Sequence, residues 1–231
     1  MKEITAVFLK QVNETVKNKI ILIQFLMFPI LTLIMENTIK IDGMPEHFFS
    51  KLFAVMFVGM AALMCMASII SEEKEKNTLR VLVMSNVKPF HYLLGISLYV
   101  WLMCMIGTII FALCSGLHTV DFLMFIVFLA LGIIVSEIIG AIIGIICRNQ
   151  MSATSVTVPA MMVLSFLPML SLFNDTIKSI AKYTYSQQIS LLINEISNQQ
   201  NYFEGIIVLL INLTVFVTIF IFAFRKKGLD T

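Results

Sequence analysis

The residues in this chain that could do chemistry are few, and their placement is unusual. Seven charged residues, Glu72, Glu73, Lys74, Glu75, Lys76, Arg80 and Lys88, crowd into the stretch from Ser71 to Phe90 between two apolar runs, and Glu137 stands alone inside another. Adjacent glutamates invite an acid–base reading, but the rest of such a site is missing. Intramembrane proteases of the paired-glutamate type need an arginine three residues on and histidines in later spans. Here Arg80 lies too far along, and His47, His91 and His118 fall at the edges of apolar runs. The sequence holds no HExxH zinc helix, no serine nucleophile elbow, no GxxxxGK[ST] phosphate loop and no Rossmann glycine fingerprint. Cys65, Cys104, Cys114 and Cys147 form no CxxC pair and read as reduced packing residues, so neither a metal site nor a disulfide is expected.

Composition explains the crowding in part. Of 231 residues, 59% are hydrophobic and 13% charged, which sets the chain apart from soluble domains and marks an integral membrane protein. A bilayer core of about 30 Å takes about 20 helical residues. Six runs approach that length: Ile20 to Met35, Leu52 to Ser71, Tyr92 to Ser115, Phe122 to Cys147, Ala153 to Phe173 and Gly205 to Phe224. The expected fold is therefore all-α, a single transmembrane domain over 1–231 with six spans. With the N-terminus in the cytoplasm, twelve Lys and Arg (Lys2, Lys10, Lys17, Lys19, Lys74, Lys76, Arg80, Lys88, Arg148, Arg225, Lys226, Lys227) lie inside and four (Lys40, Lys51, Lys178, Lys182) outside. That bias favours both termini inside. Ile4, Phe8, Val12 and Val16 recur every four residues, which predicts an amphipathic interfacial helix over 1–19.

Within 71–90, Glu72 can pair with Lys76 at i,i+4, and Asn77 suits the N-cap of a short helix from Thr78 to about Ser85, closed by Pro89. Leu79, Leu82 and Val83 would share a face of that helix, leaving Arg80 and the acidic cluster to a partner. A plain solvated loop satisfies the same residues.

The string EKEKNTLRVLVMSNV followed by HYLLGISL resembles the cytoplasmic signature of ABC type-2 permeases, the membrane subunits of many ATP-driven exporters. Glu73, Lys74, Glu75, Thr78, Leu79, Ser85, Leu93, Leu94 and Gly95 fit it, whereas Asn77, Asn86 and Ile96 stand where the family has Gly, Pro and Lys. The resemblance extends to the span count, the N-terminal helix, the Gly-rich fourth span ending near Arg148 and Asn149, and the longer outer segment over 174–204. It implies a coupling element, with Glu72, Glu73, Lys74, Glu75, Thr78, Leu79 and Arg80 docked on a separate ATPase subunit that binds ATP and Mg. This chain itself would hold no cofactor and bind no nucleic acid. A second permease copy and membrane lipid complete the expected partners. The implied function is export of an amphipathic or hydrophobic substrate, such as an antimicrobial peptide, a bacteriocin or a drug, across a cell membrane, most naturally a bacterial one. The competing readings are an ATPase-independent immunity or anchoring protein and, further off, the protease.

Three features remain. Gly132, Ser136, Gly140 and Gly144 form a small-residue stripe that predicts a close helix contact, within the chain or across a dimer seam. Glu137, beside it, lies eleven residues before Arg148 and so about 16 Å from the inner end of its helix. An acid at that depth costs about 2.5–3.5 kcal/mol on insertion scales, so it needs a partner: it serves a substrate path together with Ser136 and Pro159, or it makes a structural hydrogen bond. Pro159 and Pro168 predict a bend in the fifth span, and the resemblance suggests short outer helices over 174–204 that dip toward the membrane.

Overall fold

The computed structural model describes residues 2–17, 19–39, 43, 45–78, 88–196 and 202–227. Among these it is all helical, and continuous apolar runs become long helices because only a helix satisfies its own backbone in hydrocarbon. In chain order they are α1 (Lys2–Lys17), α2 (Lys19–Thr38), α3 (Phe48–Glu75), α4 (Pro89–Cys114), α5 (Thr119–Ile146), α6 (Gln150–Leu170), α7 (Asp175–Ala181), α8 (Tyr185–Ile196) and α9 (Phe203–Lys227).

Five of these, α3, α4, α5, α6 and α9, are long and apolar enough to cross a membrane. The sixth expected span lies within α2, a helix of 20 residues, of which the described apolar stretch is Phe25–Thr38. Pro29 lies inside α2 and is buried near Gly107 of α4.

The core is α3, which packs most extensively on α5 and α6. The small-residue stripe makes the α3–α5 approach possible: a Cβ on Gly140 would sit 2.4 Å from the Leu63 carbonyl oxygen, and one on Gly144 would sit 2.8 Å from Ile70 Cβ. Ser136 donates its hydroxyl to the Val58 carbonyl at 2.6 Å. Of the two readings left open for the stripe, contact within the chain is therefore the one found.

The segment over 174–204 contains α7 and α8. Fully buried Tyr185 begins α8, and its hydroxyl meets Ser136 Oγ at 2.8 Å. Ser136 lies ten residues from the end of α5, and Asn212, nine residues into α9, donates to the Tyr183 carbonyl at 2.9 Å. The α7–α8 pair thus enters the bundle, with Ile189 against Gly132 and Leu192 against Gly205. Pro159 and Pro168 both sit within a continuous α6.

The helix α1 does more than lie along a surface. Its buried residues are Val7, Gln11 and Thr15, while Val16, expected on the apolar face, is 69% exposed. The polar members turn inward because they have partners there. Thr15 hydrogen-bonds Tyr99 of α4, and Phe8 packs edge-on to the same ring. Gly95 of α4 leaves room for Val7.

Replacing Gly140 with Val is expected to push α3 and α5 apart at a cost of about 1–3 kcal/mol. The check is the thermal midpoint of the purified protein in detergent, which should fall by several degrees and would not move if the contact were loose.

Candidate functional site

The last turn of α3 carries Glu72, Glu73, Lys74 and Glu75, and successive residues on a helix point about 100° apart. Each therefore addresses a different neighbour. Glu72 faces outward and pairs with Lys76, as the i,i+4 spacing predicts. Glu73 turns inward and is only 5% exposed. One of its oxygens accepts from Lys10 Nζ at 2.8 Å and Gln11 Nε2 at 2.6 Å, both on α1, and the Tyr92 hydroxyl of α4 adjoins the carboxylate.

Lys74 reaches the end of α5, donating to the carbonyls of Ile145 and Cys147, each at 2.7 Å. Lys227 of α9 donates to the Ile146 carbonyl at 2.8 Å. These carbonyls are at the helix end, where intrahelical partners run out and the dipole favours cations. Glu75 does the reverse, accepting at 2.8 Å from the backbone N–H of Gln150, the first residue of α6. Asn149 and Ser152 form a capping box at the same terminus. One helical turn thus braces α1, α5 and α6, with charge signs matched to the helix ends it meets.

Asn77 closes α3: it has φ 56°, in the left-handed region, and its N–H reaches the Lys74 carbonyl at 3.1 Å. Glycine is the usual residue for that conformation and asparagine a tolerated substitute, which accounts for the departure from the family signature at this position. The helix that Asn77 is expected to start at Thr78 lies, beyond that residue, outside the described residues. Thr78 Oγ1 donates to the Glu73 carbonyl at 3.1 Å. Leu79, Arg80 and the rest of the helix expected to Ser85 lie outside the described residues. Pro89 is the first residue of α4, where its missing N–H has no cost.

Outside this knot, Lys10, Glu14, Lys17, Glu72, Lys76 and Thr78 line a charged groove of about 260 Å³ between α1 and the end of α3. Glu3 at the start of α1 meets His91 Nδ1 at 2.8 Å. The His91 ring and the Lys88 N–H hold the Glu3 carboxyl below its ordinary range. What this contact adds to α1 docking is therefore present at neutral pH and is lost as pH falls through the lowered value.

This arrangement lies within a stretch that matches a known family as a whole: residues 2–225 match the model for ABC-2 family transporter proteins. The chain belongs to the ABC-2 transporter family. A comparison with individually curated proteins gives no match. As an ABC-2 protein it is a permease subunit of an ABC transporter, and the family implies association with an ABC ATPase subunit.

The other site residues expected from sequence do not gather in one place. Glu137 is 3% exposed and accepts from Ser97 Oγ of α4 at 2.6 Å. Ser136, its neighbour, points instead to α3 and α8, and Pro159 lies exposed on α6. Sequence reasoning missed Lys10, Gln11, Ser97, Gln150 and Lys227. Lys10, within α1, and Lys227, at the end of α9, were visible as charges but carried no sign of their partners.

Removing Glu73 with Ala would leave the buried Gln11 donor unpaired, while Lys10 keeps Glu14, and should cost about 1–3 kcal/mol. Removing the half-buried Glu72, whose partner Lys76 is exposed, should cost less than about 1 kcal/mol. Thermal midpoints of the two variants check this, and equal shifts would contradict the inward role of Glu73.

Proposed function

We propose that this permease exports an amphipathic or hydrophobic substrate, using ATP hydrolysed by a separate subunit that docks on the segment over 71–90 from the cytoplasm. The observation that carries the reading is the braced last turn of α3. A force applied just beyond it enters α1, α5 and α6 together, which is what a chain driven by another subunit requires. The charged groove beside it offers both signs at a protein–protein rim, suited to steering a partner into register. Glu72, Lys76 and Thr78 would contact the ATPase directly, together with Leu79 and Arg80. Glu73, Lys74 and Glu75 would transmit from behind, so reversing Glu73 or Glu75 tests the fold before it tests docking. The working unit in this reading is two permease chains with two ATPase subunits in a cell membrane, ATP and Mg being held by the ATPase.

Coexpression with the ATPase encoded nearest to this chain is the direct test. The Glu14→Lys, Glu72→Lys double variant should weaken ATPase association roughly tenfold while leaving thermal stability within about 1 kcal/mol. ATP-driven efflux from inverted vesicles should fall with it. Full association and efflux by the variant, or efflux by the chain without any ATPase, would overturn the proposal.

A further inference from the structure

We infer that a cleft between α4 and α9, floored by α5, binds a lipophilic amine entering sideways from the membrane, with Glu137 receiving the ammonium group. The inference rests on the export reading and narrows its substrate class. Both α4 and α9 pack on α5 but not extensively on each other, and this leaves a cavity of about 480 Å³, within the range of small-molecule sites. Leu93, Leu94, Val217, Phe220 and Ile221 make its walls apolar. Leu94, Val217 and Ile221 are also exposed at the protein surface, so the cleft opens at the side.

Its floor is the exception to this apolar character. Glu137 lines the cleft with one oxygen engaged by Ser97, while the other, Oε1, is buried and makes no hydrogen bond among the described residues. A buried carboxyl oxygen with no donor is costly, and a charge-assisted N–H donor is the group that best relieves it. An ammonium on an apolar body supplies both the donor and the surface for the walls. Arg225, the other charged residue lining the cleft, would repel a second cation, so the preferred ligand has one positive charge. The volume suits a drug-sized molecule and is too small for a folded peptide.

The test uses the full-length chain alone in phosphatidylcholine nanodiscs, with a dansyl-labelled alkylamine and its N-acetylated, uncharged counterpart. Trp101, the single tryptophan, lies one turn beyond Ser97 on α4 and serves as energy-transfer donor. The amine should bind saturably, and acetylation or Glu137→Gln should each weaken binding roughly tenfold or more. Val217→Phe, which narrows the opening, should weaken both probes. Equal binding of the two probes, full affinity in Glu137→Gln or no saturable signal would overturn the inference. So would displacement by phosphatidylglycerol that depends on Arg225 and not on Glu137, which would mark an acyl-chain site. No ATPase is present, so these failures leave the docking test above untouched, and a failed docking test leaves this one intact.

Discussion

Helix ends are the difficulty this bundle has to solve. A span can satisfy its own backbone only up to its last turn, and the carbonyls of α5 at Ile145, Ile146 and Cys147 need donors from elsewhere. They find them in Lys74 and Lys227, and the N-terminus of α6 finds its acceptors in Glu75 and Asn149. Meeting these needs fixes α3, α5, α6 and α9 at one end. Glu73 then adds α1 to the same knot.

Toward the middle of the bundle a different force takes over. There the glycines and Ser136 bring the α3 and α5 backbones close enough for dispersion to act along their length, and α8 wedges in with Tyr185 as its polar anchor. The periphery is looser: α9 buries little of its surface, and the gap it leaves beside α4 is the apolar cleft that Glu137 helps to line. A close-packed centre tied at its charged end, with a side cleft reaching toward that end, brings the proposed coupling turn and the candidate ligand site to the same helix, α5.

Much of this was legible in the sequence. Long apolar runs become helices in lipid, so five spans and their order followed directly, and a small residue every four positions announced a close contact. Direction was harder to read. Five consecutive charged residues, Glu72 to Lys76, have no period, and nothing local says that Glu73 faces inward while Glu72 faces out. The Ser97–Glu137 bond joins residues forty apart, and the turn of α1 toward Gln11 and Thr15 depends on partners in α3 and α4. The α2 run forms the helix its length predicts, and its described apolar stretch is Phe25–Thr38. Asparagine serves either end of a helix, and only the left-handed backbone of Asn77 shows that it closes α3.

The central claim is that the last turn of α3 holds α1 as part of one block during transport. Pulsed electron–electron spin resonance between labels at Asn13 and Lys76, both exposed, measures this in the ATPase complex with and without ATP. A rigid block keeps the same narrow distance distribution in both states. A distribution that shifts or broadens when ATP binds would show that α1 and α3 move independently, and the claim would fail.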